Sequence, residues 1–150
     1  MRSTKIKTEW EGIACIDNER KSITSYPLEG LNSVRSIAND KNDGLWIASE
    51  RGLFYLQYDI EAGVATNMKT THYKNDKNDV HSINNDLLYA VDVDEDGHVW
   101  IGSARGVCMY DVNAQKIIRF PMEDYISDIG IRGVLCYKDY VWISYGKGIT

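Results

Sequence analysis

The chain has 150 residues, 43% of them hydrophobic, which suits one domain with a sizeable core and argues against disorder. Its net charge is −5 and it has no basic patch, so a nucleic-acid partner is not expected. No apolar run approaches the ~20 residues of a membrane span, and the first residues hold no signal-peptide core, so we expect no membrane contact by this stretch.

Residues 1–26 predict an incomplete unit of β-structure. Residues 13–16 form a short apolar run, and residues 22–26 contain Ile, Thr and Tyr, which predicts two short strands. Residues 1–8 would hold a damaged strand before them. Pro27 follows the second strand, where a hydrogen-bonded ladder can end without losing a needed donor.

Residues 31–73 predict a complete unit of four strands. A strand at residues 34–37 precedes a polar turn at residues 40–44, and the strand around Trp46 follows. The Gly that ends the polar turn favours a tight hairpin, because Gly accepts a positive φ. Two further strands are predicted at residues 53–58 and 64–73.

Residues 87–121 repeat that order around Trp100, with a polar turn at residues 94–97. Residues 130–150 begin another copy around Trp142 and end just inside its next strand. No segment shows the 3.6-residue apolar period of a helix over a useful length. The units therefore alternate strands and turns throughout.

Trp46, Trp100 and Trp142 stand in one recurring phrase and are 54 and 42 residues apart. A Gly and an aliphatic residue follow six residues after each Trp. Such spacing suits the four-stranded blade of a propeller, which takes roughly 40–50 residues. Closed propellers have 4–8 blades. We therefore predict an all-β fold, a partial β-propeller of about three to three and a half four-stranded antiparallel blades, as one propeller fragment over residues 1–150. Its parts are a partial blade at 1–26, blades at 31–73 and 87–121, and a partial blade at 130–150.

Residues 41–53, which nearly spell Asp-x-x-Gly-Leu-Trp-Ile-x-Ser-x-x-Gly-Leu, resemble the two-component regulator propeller repeat. The match recurs at residues 94–107 and weakly at 139–149. In that family, such repeats form periplasmic sensor propellers of bacterial hybrid histidine kinases, which commonly detect glycan breakdown products. The resemblance implies a periplasmic, non-enzymatic sensing fragment with a small glycan ligand, whose partners include the remaining blades of its parent propeller. No kinase is recognisable in these residues.

Two other functions stay open. An enzyme on a similar propeller, such as a lyase that inactivates streptogramins, would need a base and usually a metal near the axis. No His pair or carboxylate cluster recurs on the first strands of the units to supply them. A purely structural assembly module is the third possibility. We predict no catalytic residue, no cofactor and no metal ion.

One motif imitates a calcium site. Residues 92–99 resemble the start of an EF-hand loop, with aspartates at positions one, three and five and Gly at six. Position twelve is Ser103, where calcium needs a bidentate Glu. We predict a plain hairpin turn. In the preceding unit, the corresponding positions are taken to be Asn39, Lys41 and Asp43, and a Lys would repel calcium.

The candidate binding residues lie in turns and loops predicted for one face. A basic residue precedes the repeat Gly in three units, and such a cationic arc could meet carboxylates or sulfates. The long polar loop at residues 74–86 should reach the same face, and loops on a rigid scaffold commonly carry binding. The alternative to ligand binding is that these residues belong to solvated turns and to a plain linker. The candidate ligand-binding residues are Arg51, Arg105, Lys147, Asn75, Asn78 and His81.

The equal phase of the three Trp residues predicts packing between blades rather than sugar-stacking platforms. Cys15 and Cys108 fall in apolar strand patterns and are predicted to be buried. A bridge between Cys108 and Cys136 stays open, because the Cα separation decides it. The unpaired strand edges of the partial blades predict self-association through residues 1–26 and 131–150.

Overall fold

A computed structural model describes residues 12–31, 33–120 and 130–146, and these residues form twelve β-strands. Residues 1–8 and Gly148, where two further strands are predicted, lie outside the described residues. The strands are β1 (Gly12–Asp17), β2 (Ser22–Pro27), β3 (Val34–Asn39), β4 (Leu45–Ser49), β5 (Gly52–Glu61), β6 (Val64–Tyr73), β7 (Leu88–Val93), β8 (Val99–Ser103), β9 (Gly106–Asp111), β10 (Lys116–Arg119), β11 (Gly130–Tyr137) and β12 (Tyr140–Gly146).

The strands form four antiparallel sheets in which neighbours in space are neighbours in sequence. Two sheets have four strands, β3–β4–β5–β6 and β7–β8–β9–β10, and two have two strands, β1–β2 and β11–β12. This confirms the predicted all-β architecture of four-stranded antiparallel units. The described residues contain no helix long and apolar enough to cross a membrane.

The two four-stranded sheets share one register. Trp46 pairs with Tyr55 on the next strand, and Trp100 pairs with Met109, which is 54 residues after Tyr55. Each sheet also has a bulge near the start of its first strand pair. The 54-residue repeat is thus a structural repeat, strand for strand.

The same Asp builds the first turn of both sheets. The Asp40 Oδ1 atom accepts the backbone N–H groups of Asn42 (2.8 Å) and Gly44 (2.7 Å). The Asp94 Oδ1 atom accepts those of Asp96 (3.0 Å) and His98 (2.9 Å). The alignment of the two units that matched Lys41 with Asp94 was therefore wrong by one residue. The register of the Trp strands makes Asp40 the counterpart of Asp94, so the Lys argument against calcium fails.

The second turn explains the recurring Ser-x-x-Gly. The Ser49 hydroxyl donates to the Gly52 carbonyl oxygen (2.9 Å) and accepts the Arg51 N–H (3.1 Å). Gly52 has φ +109°, and a Cβ there would lie 2.5 Å from the Tyr73 carbonyl oxygen, so only Gly fits. Ser103 makes the same two bonds around Gly106.

Adjacent sheets pack face to face through two apolar clusters. One contains Leu31, Ile47, Phe54 and Leu56, with Ile13 of β1 against it. The larger cluster joins β3–β6 to β7–β10 and includes Trp46, Leu88, Val91, Ile101 and Cys108 among its buried members.

Polar bonds also connect the first strands of successive sheets. The Ser36 hydroxyl on β3 accepts the Val91 N–H of β7 (3.2 Å). On the far side of β7, the Asp92 carboxylate accepts the Cys136 N–H of β11 (2.7 Å). Satisfying backbone groups across the interface fixes the position of each sheet on the next.

The three Trp residues have different environments. Trp46 is 4% exposed, which confirms core packing at that position. Trp100 is half-buried, and Trp142 is 63% exposed, so the prediction was wrong for Trp142. The reason is the neighbouring sheet. Tyr110 of β9 covers the Trp46 ring at a centroid distance of 5.4 Å, whereas the aromatic neighbour of Trp142 among the described residues is Tyr140 of its own strand, at 6.5 Å.

All three cysteines are free thiols, so no bridge joins Cys108 to Cys136. Cys108 is buried as predicted, and burial raises its pKa to about 11. Cys15 is exposed, contrary to the prediction. It lies on β1, which pairs with β2 alone, and both strands are largely exposed.

Candidate ligand-binding sites

The predicted binding residues lie on the face formed by the β4–β5 and β8–β9 turns and the β6–β7 loop. Arg51 and Arg105 are exposed in those turns, and Lys147 lies outside the described residues. The loop reaches Arg105, since the Asn84 side-chain amide donates to the Arg105 carbonyl oxygen (3.1 Å). The structure thus joins the loop to one of the two described turns.

Two of the loop residues hold the loop itself together. The Asn75 side-chain amide donates to the Ile83 carbonyl oxygen (2.6 Å), and the Asn75 N–H donates to Asp86 (2.7 Å). The His81 Nδ1 atom lies 3.2 Å from the Ile117 carbonyl oxygen of β10. Of the three predicted loop residues, Asn78 and His81 are exposed, and the Asn78 N–H donates to Asp76. Side chains that fix a loop are poorly placed to bind a ligand as well.

Arg119 is a structural residue that the sequence analysis missed. Its Nε donates to the Ser82 carbonyl oxygen (2.9 Å), and a terminal nitrogen donates to the Asp79 carbonyl oxygen (3.1 Å) and the Ser82 hydroxyl (2.9 Å). The planar guanidinium makes several such bonds in one geometry, so it fastens the β6–β7 loop to β10. A charged residue directly after two Ile in a predicted strand was the available signal.

The opposite face, where the β3–β4 and β7–β8 turns lie, holds a cavity of about 420 Å³ between the two four-stranded sheets. We call it the Trp46 cleft. It is lined by Asp40, Lys41, Asn42, Trp46, Tyr55, Tyr73, Asp96, Gly97, Tyr110 and Val112.

Aromatic rings from both four-stranded sheets line the Trp46 cleft. The Trp46 ring lies 4.6 Å from Tyr55, 5.7 Å from Tyr73 and 5.4 Å from Tyr110, measured between ring centroids. Burial raises the pKa of Tyr73 to about 12. Burial, and then the Asp40 carboxylate, raise the pKa of Tyr55 further above its ordinary value. Both phenols therefore stay protonated at neutral pH.

Polar groups form the mouth of the cleft. The Tyr55 hydroxyl donates to the Asp40 Oδ2 atom (2.5 Å), so the carboxylate that builds the turn also orients the ring. The Lys41 ammonium donates to the Glu95 carbonyl oxygen and connects the turns of the two sheets. Asn42 and Asp96 are exposed beside this connection.

A second cavity lies at the equivalent place between β7–β10 and β11–β12. This Trp100 cleft has about 260 Å³. Met109 stands where the first sheet has Tyr55, and a thioether has no hydroxyl to donate. The Trp100 Nε1 atom donates to the Asp94 Oδ2 atom instead (2.8 Å). The lining is Asp94, Glu95, Asp96, Trp100, Lys138, Asp139, Tyr140 and Val141.

Sequence reasoning did not find either cleft, because each is assembled from turns and strands of two units. The strongest available signal was Tyr at residues 55, 73 and 110, in predicted strands of successive units. Within residues 12–31, 33–120 and 130–146, no three His, Cys, Asp or Glu residues are grouped as metal ligands would be.

Residues 29–51 match the family model of the two-component regulator propeller. No curated protein matches the chain in sequence.

Several solved structures have a similar fold. The extracellular domain of BT4673 of B. thetaiotaomicron, a hybrid two-component or one-component system, aligns with 91% of this chain and 18% of its own, with a TM-score of 0.67 and 20% identity. The extracellular domain of BT3049, a hybrid two-component system of the same organism, aligns with 90% of this chain and 16% of its own, with a TM-score of 0.51 and 19% identity.

PorZ, an essential bacterial surface component of the type IX secretion system of Porphyromonas gingivalis, aligns with 91% of this chain and 22% of its own, with a TM-score of 0.66 and 16% identity. The chain thus spans about a fifth of the length of these proteins. Residues 29–51 therefore carry a repeat of the two-component regulator propeller family, and the four sheets have the fold of part of a larger propeller domain.

Proposed function

We propose that this chain is a non-enzymatic, ligand-recognising segment of a periplasmic sensor propeller of a bacterial two-component system, and that its ligand is derived from a glycan. The repeat matched at residues 29–51 supports the family, and the similar extracellular domains of B. thetaiotaomicron support the location. The glycan follows from the family resemblance. The remaining blades of the parent propeller are the expected partners of the exposed sheet faces.

The observation that carries this proposal is where the matched repeat falls. It covers the Asp40 turn and the Trp46 strand, and these two elements form one wall of the cleft between sheets. A rigid repeat that places polar turns beside an aromatic cavity is suited to binding a small molecule.

The carboxylates of Asp40 and Asp94 already accept hydrogen bonds within the protein, which favours binding over catalysis. Asp40 accepts two backbone N–H groups and the Tyr55 hydroxyl. Asp94 accepts two backbone N–H groups and the Trp100 indole N–H. Both carboxylates are thus already engaged in building the turns and are not free to act on a substrate.

The turn face remains a second place where a ligand could bind. Arg51 and Arg105 are exposed there, and Asn78 is exposed on the adjoining loop. Guanidinium groups suit carboxylate or sulfate groups, so this face would favour an acidic glycan.

Binding is tested by isothermal titration of the full chain with a panel of neutral and acidic tetrasaccharides. Saturable binding of at least one of them is expected, and chromatography should recover that sugar unchanged. If no sugar in the panel binds, the glycan proposal is wrong. If a sugar is cleaved, and a substitution among His72, His81 and His98 abolishes turnover, the chain is an enzyme.

A structural assembly role is the second candidate, favoured by the likeness to PorZ and by the exposed apolar face of β11–β12. The exposed side chains there are Leu135, Tyr137, Tyr140 and Trp142, each more than half exposed. The isolated chain should self-associate through this face, because the equivalent face at Trp46 is covered by another sheet. Light scattering over a concentration series measures this. Trp142→Ser should reduce the association, and a chain that stays monomeric at every concentration would contradict it.

A further inference from the structure

We propose that the Trp46 cleft binds one ring of a neutral saccharide. This inference rests on the proposed function and adds the place of binding and the charge type of the ligand. It also separates that ligand from the acidic glycans that the opposite, arginine-bearing face would favour.

The size and rigidity of the cleft suit a small ligand. Its volume of about 420 Å³ lies within the roughly 300–1,000 Å³ of small-molecule sites. One wall comes from β4, β5 and β6, and the other from β9 and the β7–β8 turn. The bond from Lys41 to the Glu95 carbonyl oxygen joins the two turns. Both walls are thus built by paired strands and the turns that join them.

The aromatic lining of the cleft offers what a sugar ring needs. Trp46 is 4% exposed and forms the floor, while Tyr55, Tyr73 and Tyr110 are half-buried around it. Aromatic faces pack against the apolar C–H faces of a pyranose, and phenol hydroxyls exchange hydrogen bonds with its hydroxyl groups.

Two polar side chains at the mouth are available to a ligand. Asn42 and Asp96 are exposed, and among the described residues neither side chain hydrogen-bonds to the protein. An amide both donates and accepts, and a carboxylate accepts, so together they match hydroxyl groups that do both. By contrast, the bonds that Asp40 already makes keep its carboxylate in the turn.

The charge of the cleft selects against acidic sugars. Asp40 and Asp96 contribute two negative charges, and Lys41 contributes one positive charge that is directed at the Glu95 carbonyl oxygen. A uronate or sulfate placed here would meet a net negative mouth, which is unfavourable at close range. A neutral sugar avoids this cost.

The Trp100 cleft provides an internal comparison. It is smaller, at about 260 Å³, and Met109 replaces the phenol of Tyr55. Its Trp contributes the indole N–H to Asp94 and stacks on Phe120 at 5.1 Å. We therefore expect the Trp46 cleft to bind the sugar more tightly.

The test titrates the full chain with four neutral tetrasaccharides (of glucose in two linkages, of xylose and of mannose), with tetragalacturonate and with tetramethylammonium. Binding is followed by calorimetry and by ¹⁵N–¹H chemical-shift changes, including the Trp46 indole. The cleft variant is Asn42→Ala, because Asn42 lines the Trp46 cleft and not the Trp100 cleft, whereas Asp96 lines both. Control variants are Asp139→Ala at the Trp100 cleft and Arg51→Ala with Arg105→Ala on the opposite face. Circular dichroism checks that each variant folds.

A neutral tetrasaccharide should bind and shift the Trp46 indole signal. The cleft variant should weaken its affinity about tenfold or more, and both controls should leave it within twofold. Sugar binding that the cleft variant leaves unchanged, and that the arginine variant weakens, would overturn the cleft while leaving the proposed function intact. Tighter binding of tetramethylammonium than of any sugar would overturn the ligand class. Failure of every saccharide to bind would overturn both proposals.

Discussion

The β3–β6 and β7–β10 sheets build the same turn with different side chains. In the first, the Tyr55 hydroxyl completes the bonds of Asp40, and its ring lies so close over Gly44 that an added Cβ would overlap it. In the second, Met109 cannot donate, and His98 occupies the position of Gly44. Trp100 then supplies the missing donor to Asp94.

The difference in which side chain donates to the turn carboxylate gives each Trp a different environment. Trp46 is free of the turn and lies beneath Tyr110 of the following sheet, whereas the Trp100 indole is bonded to the turn and is half-buried. Trp142, at the same place in β12, is 63% exposed. The recurring phrase determines register and turn, but the adjoining sheet determines whether its Trp belongs to the core.

Trp46→Ala should have the largest effect on stability. Removing a large buried aromatic residue costs about 3–5 kcal/mol, whereas Trp142→Ala should change the free energy of unfolding by less than ~1 kcal/mol. Trp100→Ala should fall between them, because its side chain is less buried than that of Trp46 and less exposed than that of Trp142. Urea unfolding with intrinsic fluorescence and circular dichroism compares the three. Equal losses at Trp46 and Trp142 would contradict the burial difference.

Gly102→Ala should loosen the contact between β8 and β11. A Cβ at Gly102 would lie 2.7 Å from the Ile131 Cγ2 atom and 3.0 Å from the Ile131 carbonyl oxygen. Overpacking of this kind costs about 1–3 kcal/mol. Gly146→Ala is the matched control, since a Cβ there meets no atom within 4 Å. The two variants are compared by urea midpoints, and similar midpoints would show that β11 does not pack on β8 as described.

Stability should fall in alkali. Burial raises the pKa of Cys108 to about 11 and of Tyr73 to about 12, against ordinary values of 9.0 and 10.0. Above pH 9 the unfolded chain therefore loses protons before the folded chain does, so unfolding becomes more favourable as pH rises through the folded-state pKa values. Urea midpoints measured from pH 8 to pH 11 should decrease, and Cys108→Ala should lessen the decrease. A constant midpoint would count against buried, protonated groups.

Calcium should have no effect, even though the Lys41 argument against it failed. The Asp94 carboxylate already accepts the N–H groups of Asp96 and His98 and the indole N–H of Trp100. The melting temperature should be the same with millimolar calcium and with a chelator. A rise with calcium that Asp96→Ala abolishes would show that the turn is a binding site after all.

The sequence predicted the strands and turns well because they depend on local pattern. The alternation of strand patterns and polar turns predicts β3 to β10. Gly52 and Gly106 lie in the second turns, where φ is positive. The alignment that placed Lys41 opposite Asp94 failed by one residue because it followed the polar run and not the Trp register. The exposure of Trp142 and Cys15 could not be read from pattern, since each depends on a neighbouring sheet.

The candidate site was harder to predict than the fold. The Trp46 cleft joins Asp40, Tyr73 and Tyr110, which are brought together only when two sheets stack. Likewise, Arg119 contacts a loop about 37 residues earlier in the chain, as its bonds to Ser82 show. Asn75 and His81 were read as free loop residues, although the polar composition of that loop serves its own hydrogen bonds.

The central claim is that successive sheets stack so that the Trp46 ring of one lies under the Tyr110 ring of the next, at 5.4 Å between centroids. Nuclear Overhauser effects between the Trp46 indole and the Tyr110 ring protons test it directly. We predict strong cross-peaks between these rings, and none from the Trp142 indole to Tyr110. If the Trp46 indole shows cross-peaks to Tyr55 alone, the sheets do not stack as blades and the cleft between them does not exist.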